Sequence, residues 1–274
     1  MAQCVEILCI GNEILIGKTL NTNAQWLAKR VTSLGLFTRR ITVVGDNINE
    51  ISVALQEAIK RNPNFILTTG GLGPTFDDKS IAGLAKALGR QIEVNEEALE
   101  MVKEKYLSYA REGRKEAEQL TPYRLKMANF PKEAVPLRNP IGTAPAVLVK
   151  HKSITIIALP GVPSEMKKIF DDSVAPVIKQ VAYGVIFFET SIISDNIMES
   201  EMAPLIDEIM QNNPHVYIKS HPKGTELVPH IELHFSTTAK NASTARDHVS
   251  KALIQLTELI HEKGGKTKPT KPEP

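Results

Sequence analysis

Three times in its first ninety residues, the chain passes from a short apolar run through a polar turn into a helix-patterned stretch. Val5 to Ile10 runs into Gly11-Asn12-Glu13, and Arg40-Ile41-Thr42-Val43-Val44 into Gly45-Asp46-Asn47. The third run, Asn64-Phe65-Ile66-Leu67, meets a turn that carries three glycines within four residues. Between and after the runs, apolar residues recur at helical spacing: Trp26, Leu27 and Val31 within Thr22 to Ser33; Ile51, Leu55, Ala58 and Ile59; then Lys79 to Leu88. Strands alternating with helices dictate a mostly parallel sheet with helices on both faces. Ligands of such sheets sit beyond the carboxyl ends of the strands. All three turns place polar side chains there, so one shared site is expected.

The third turn reads Thr68-Thr69-Gly70-Gly71-Leu72-Gly73-Pro74-Thr75-Phe76-Asp77-Asp78. Glycine lets backbone N–H groups face a bound oxyanion with no Cβ in the way. The helix entry beyond adds unpaired donors and the positive end of its dipole. Gly70, Gly71, Gly73 and Thr75 are therefore expected to bind phosphate. No Gly-Lys-Ser/Thr follows, so this is not a Walker loop. It falls third in the strand series, unlike a dinucleotide fingerprint. Asp77 and Asp78 would repel a bare phosphate unless a cation or a catalytic task intervened. Asp78 also reads as an N-cap and Asp46 as a turn residue, which leaves Asp77 the hardest to explain structurally.

Further on, Asn95 to Glu118 reads as a charged helix with Leu99, Val102, Tyr106 and Tyr109 as its apolar stripe. The turn-rich loop Arg138-Asn139-Pro140-Ile141-Gly142-Thr143-Ala144-Pro145 precedes a hairpin of Ala146 to Lys150 and Ile154 to Leu159. Leu159-Pro160-Gly161-Val162-Pro163-Ser164-Glu165-Met166 is a second Gly/Pro-bearing helix entry and a second possible anion pocket, with Ser164 as its expected N-cap. From about Gly184 a small βαββα unit follows. His230 and His234 share a strand face in it, without a third ligand at metal spacing. The Lys/Pro tail from residue 265 has nothing apolar to bury and is expected to be disordered.

The balance of 33 basic and 31 acidic residues gives a net charge of +2. That is no field for nucleic acid or an anionic membrane. No apolar run approaches the ~20 residues of a membrane helix. Cys4 and Cys9 are the only cysteines and face opposite sides of one strand, so they cannot pair. A cytoplasmic location is expected.

Gly11-Asn12-Glu13-Ile14-Leu15-Ile16-Gly17 with Asn21-Thr22-Asn23-Ala24, Val44-Gly45-Asp46, the Gly loop, residues 139–145 and residues 159–166 together resemble the CinA (competence/damage-inducible) family. The resemblance implies an α/β fold: a three-layer α/β/α MoaB/Mog-type molybdopterin-binding domain over residues 1–183. A KH-type α+β domain would follow over 184–264, with a tail over 265–274. The deamidase domain that ends full-length CinA proteins is not expected here. The GxxG clamp by which KH domains hold RNA is absent, because His221-Pro222-Lys223-Gly224-Thr225 is only a turn, so RNA binding is not expected. The implied activity is metal-dependent hydrolysis of a pyrophosphate such as ADP-ribose or FAD. The alternatives are molybdopterin binding or adenylyl transfer in molybdenum cofactor biosynthesis, and non-catalytic nucleotide binding. The ligand would be a nucleotide or a pterin, the metal Mg²⁺, Co²⁺ or Mn²⁺, and the assembly a homodimer. Asp77, Asp78, Asp46 and Glu13 are the candidate catalytic residues, the three aspartates also being candidate metal ligands. Which carboxylate holds metal and which orients water stays open. Asn12, Asn139, Gly142, Thr143, Pro160 and Gly161 join the Gly loop as candidate ligand-binding residues.

Overall fold

The computed structural model describes residues 3–113, 119–182, 184–225 and 228–270. The chain divides into two compact units, one of residues 1–32 and 36–182, the other of residues 33–35 and 183–274.

In the first unit, strand β1 (Cys4–Ile10) is buried along all seven residues. It pairs in parallel with β2 (Phe37–Val44) on one side and β3 (Phe65–Thr69) on the other, so Ile7 lies opposite both Ile41 and Leu67. Strand β8 (Ile154–Leu159) continues beside β3 in parallel, followed antiparallel by β7 (Ala146–His151) and β6 (Val135–Leu137), giving the order β2-β1-β3-β8-β7-β6. The central strands β1, β3 and β8 are buried along their whole length and mostly apolar because both their faces are covered, with Glu6, Thr68, Thr69 and Thr155 as buried polar exceptions. Cys4 and Cys9 are buried free thiols.

The helices α1 (Asn12–Leu15), α2 (Thr22–Ser33), α3 (Ile48–Lys60) and α4 (Ser80–Leu88) follow the first three strands. Ile51 and Leu55 of α3 and Leu84 of α4 share one core with Ile66, Val102, Phe130 and Ile156. A two-stranded ribbon, β4 (Ile92–Val94) with β5 (Asn129–Pro131), brackets α5 (Glu96–Arg111) and α6 (Pro122–Lys126). The expected charged helix thus ends at Arg111, with Asn95 as its cap, and residues 114–118 lie outside the described set. At α7 (Pro163–Ile169) the cap is Val162, not Ser164, because Pro163 already occupies the first helical position, which its locked φ suits. One π-helical stretch, Phe170–Val174, joins α7 to α8 (Ala175–Val181).

The second unit runs β9 (Ile186–Asp195), α9 (Glu199–Asn212), β10 (Val216–Pro222), β11 (His230–Ala239), α10 (Ala242–Glu262) and β12 (Lys266–Pro269). Its antiparallel sheet has the order β10-β11-β9-β12, with Leu233, Phe235, Val249 and Leu256 in its core. The expected βαββα pattern therefore gains a strand from the tail expected to be disordered. Lys266 lies opposite Asp195, Lys268 Nζ reaches Asp195 Oδ2 at 2.9 Å, and Thr270 Oγ1 donates to the Ser191 carbonyl. Residues 271–274 of that tail lie outside the described set. His230 pairs with Asp195 and His234 with Glu189, so each histidine answers a carboxylate. Among the described residues, no helix is long and apolar enough to cross a membrane.

Candidate functional site

The carboxyl ends of β1, β2, β3 and β8 converge on a cavity of about 260 Å³. Glu13 and Ile14 of α1, the strap Thr19 to Asn23, Asp46, Thr69 to Gly71, Asp77, Asp78, Gly161 and Pro163 line it. The four expected carboxylates thus surround one space.

The Gly loop divides its duties. Gly70 (φ +108°) donates its amide to the Leu159 carbonyl at 3.1 Å, and a Cβ there would strike the Ile10 carbonyl oxygen. Glycine at 70 therefore answers the close approach of β1, and its N–H is not available for phosphate, contrary to expectation. Gly71 (φ +66°) would put a Cβ into Ser80 Oγ. Ser80, 2% exposed, donates that hydroxyl to the Gly70 carbonyl at 2.6 Å and its amide to the Gly71 carbonyl at 3.2 Å. Among the described residues, the amides of Gly71, Leu72 and Gly73 have no hydrogen-bond partner within the chain. Consecutive donors without a partner are what an anion can satisfy, and Gly71 among them lines the cavity.

Thr75 ties the rest of the loop together. Asp78 Oδ2 accepts from the Thr75 amide at 2.7 Å and lies 2.6 Å from Thr75 Oγ1, which also contacts Asp77 Oδ1. One hydroxyl proton is thus shared between two carboxylates. Hydrogen bonding from Thr75 first, then from the local backbone, holds the Asp77 carboxyl below the usual carboxylate range, with smaller help from Lys126 and Lys79. Asp78 does not cap α4 with its side chain; Lys79 occupies that cap position. Neither Gly73 nor Thr75 lines the cavity.

Asp46 is set by Asn12, whose amide donates to Asp46 Oδ2 at 2.8 Å. Asn12 itself is not among the residues that line the cavity, although Gly11 and Glu13 on either side of it are. Asn23 faces the cavity and donates Nδ2 to both Thr69 Oγ1 (3.0 Å) and the Gly161 carbonyl (2.8 Å). Thr69 passes its own proton to the Pro160 carbonyl at 2.9 Å, so Pro160 is structural here. Asn23 Oδ1 is buried without a partner.

Asn139, Gly142 and Thr143 line a different cavity of about 220 Å³, with Lys105 and Arg138. Asn139 is fully engaged in its own loop. It donates to the Ala144 carbonyl (2.9 Å) and Glu165 Oε2 (2.7 Å), and accepts from the amides of Ile141 and Gly142. These three residues are therefore not part of the carboxylate site. Nor do Asp46, Asp77 and Asp78 form a ready metal cage: among the described residues, no three His, Cys, Asp or Glu side chains converge on one point. Each of the three aspartates commits one oxygen to a hydrogen bond within the chain and leaves the other. Such a set fits a hard cation held by one or two carboxylates, ligand phosphates and water. Sequence reading missed Asn23 and Lys126, whose ammonium donates to the Thr75 carbonyl.

Residues 6–180 match the family described as "Probable molybdopterin binding domain". The chain belongs to this family. A relative of nearly the whole chain, a protein of Pyrobaculum arsenaticum, is 44% identical over 94% of this chain and 95% of the relative. A second, from Sulfurisphaera tokodaii, is 44% identical over 95% and 96% respectively. The solved structure of the protein CinA with unknown function from Thermoplasma acidophilum is 39% identical, with a TM-score of 0.59, over 65% of this chain and 98% of that one. The expected likeness to CinA is met in the molybdopterin-binding domain.

Proposed function

We propose that this protein hydrolyses the pyrophosphate bond of a nucleotide such as ADP-ribose or FAD, with a divalent cation. The observation that carries the reading is the unsatisfied Gly71 amide in a cavity also lined by the carboxylates of Glu13, Asp46, Asp77 and Asp78, with the unsatisfied amides of Leu72 and Gly73 next to it along the loop. Amides alone would make an anion receptor; four carboxylates beside them suit a reaction in which phosphate charge is shared with a cation. Mg²⁺, Co²⁺ or Mn²⁺, held by Asp77 and Asp78 or Asp46, would supply charge neutralisation on the phosphates.

The chain's own residues do the rest. The loop amides orient one phosphate, and hydrogen bonding from Thr75 holds the Asp77 carboxyl below its usual range. Asp77 serves as a partner of the cation or an orienter of water, and Asp46 or Glu13, lining the same cavity, is the carboxylate for proton removal. Ile14 and the 83% exposed Leu20 give the cavity wall an apolar side on which a nucleotide's rings would lie. The family match favours a second reading, in which the same loop binds a pterin phosphate without cleaving it. Purified protein incubated with ADP-ribose, FAD or ATP and each divalent metal distinguishes the two by release of AMP. Absence of AMP together with tight molybdopterin binding would select the second.

A further inference from the structure

Helix α6 is only five residues long, yet its last side chain reaches back 51 positions to the Gly loop, where Lys126 Nζ donates to the Thr75 carbonyl. Its place is set from both ends. Thr121 Oγ1 accepts from the Arg124 amide and Pro122 fills the first turn, while Met127 and Ala128, immediately after Lys126, are buried in the core. Thr75 is the residue through which the loop holds its shape: its amide and hydroxyl meet Asp78, and its carbonyl accepts from both the Asp78 amide and Lys126. An ammonium carries three N–H groups, so the bond to Thr75 leaves its charge facing Asp77 and Asp78. Partial burial pushes the Lys126 pKa below the usual lysine value, with Lys79 adding to the depression, while Asp78 and then Asp77 pull it back.

We propose that Lys126 is the positioning residue of this site: from behind the loop it clamps the Thr75 carbonyl and offsets the Asp77–Asp78 charge, so that the loop amides stand ready for a phosphate before any cation binds. This rests on the phosphate reading of the loop. Lys126 does not line the cavity, so it acts through Thr75 and through its field, not by touching the ligand. With the ammonium in place, a bare cation meets a carboxylate pair already partly neutralised, and a phosphate meets less repulsion. Removing the charge reverses both preferences.

The test uses the full chain with Lys126→Met and Lys126→Arg, read three ways. Hydrogen exchange at the Thr75, Asp78 and Ser80 amides should speed up about tenfold in the Met variant, the loss of one charged hydrogen bond. Inorganic pyrophosphate, titrated alone, should bind about tenfold more weakly to the Met variant, and Mg²⁺, titrated alone, should bind more tightly. Lys126→Arg should restore exchange and pyrophosphate affinity. Unchanged exchange at a matched melting temperature would overturn the clamp. A joint fall in pyrophosphate and Mg²⁺ affinity would overturn the charge role, since general loosening weakens both. If pyrophosphate fails to bind the wild type, the phosphate reading falls, and exchange still decides whether Lys126 shapes the loop.

Discussion

Asn12 and Asp46 hold each other by reciprocal bonds: the Asn12 amide donates to Asp46 Oδ2 at 2.8 Å, and the Asp46 amide donates to Asn12 Oδ1 at 3.2 Å. The clasp joins the carboxyl ends of β1 and β2 and aims one carboxylate at the cavity. Asn12→Ala removes one of the two bonds and the side chain that packs beneath Gly45. Stability should fall by about 1 kcal/mol. The residue-12 backbone amide still holds Asp46 Oδ2, so pyrophosphate cleavage should fall less in Asn12→Ala than in Asp46→Asn, which alters the carboxylate itself. Urea denaturation and turnover of both variants check this; full turnover in Asp46→Asn would remove Asp46 from the reaction.

Gly71 has a steric reason to be glycine apart from any ligand. Its positive φ and the Ser80 hydroxyl both oppose a Cβ. Gly71→Ala is expected to destabilise the protein by about 2 kcal/mol and to weaken phosphate binding as well. Removing the hydroxyl in Gly71→Ala/Ser80→Ala should make the double variant less unstable than the sum of the single ones. Thermal melts of the four proteins decide it, and strict additivity would mean that Ser80 is not the obstacle.

The layers of the fold were legible because central parallel strands are buried on both faces and so read as mostly apolar runs, as β1 and β3 do apart from Glu6 and the Thr68-Thr69 end. The Gly loop was legible because three glycines in four residues are costly unless backbone conformation demands them. Lys126 was not: its contact spans 51 positions, and nothing in the local pattern around it points to Thr75. Residues 139–143 misled because Asn-Pro-x-Gly is turn chemistry, and Asn139 spends its oxygen on the amides of its own turn. Strand β12 was hidden because its pairing comes from backbone and Asp195, with no apolar alternation to betray it.

Within β1, Glu6 is 3% exposed and grips the guanidinium of Arg61 with bonds of 2.9, 3.1 and 2.7 Å. Hydrogen bonding to Glu6 raises the Arg61 pKa further above its already high value. Arg61→Met would leave a buried carboxylate without its partner. Because the Arg61 side chain is 26% exposed, the cost should fall toward the low end for such pairs, about 2 kcal/mol. Glu6→Gln should cost less, since no bare charge remains. Guanidinium melts of both variants test the order, and a larger loss for Glu6→Gln would contradict it.

In the second unit, Lys268 and then His230 hold the Asp195 carboxyl below its usual range. A depressed carboxylate stabilises the fold above its unfolded pKa, about 3.9, and that stabilisation is lost as pH falls through the lower folded value. Lys268 is 54% exposed, so the pair contributes on the order of 0.5 kcal/mol. Asp195→Asn should therefore lower stability near neutral pH and flatten its decline below about pH 4. Exchange at the Thr267 amide followed against pH reads the attachment of β12; an identical acid response in both proteins would exclude Asp195 as its anchor.

The most direct measurement of the central claim is AMP release from ADP-ribose with Mg²⁺ or Mn²⁺, by wild type and by Asp77→Asn. Wild type should release AMP only with metal present. The variant, matched in melting temperature, should be slower by at least ~10²-fold. No metal-dependent AMP from the wild type, or equal rates from both proteins, would contradict the account.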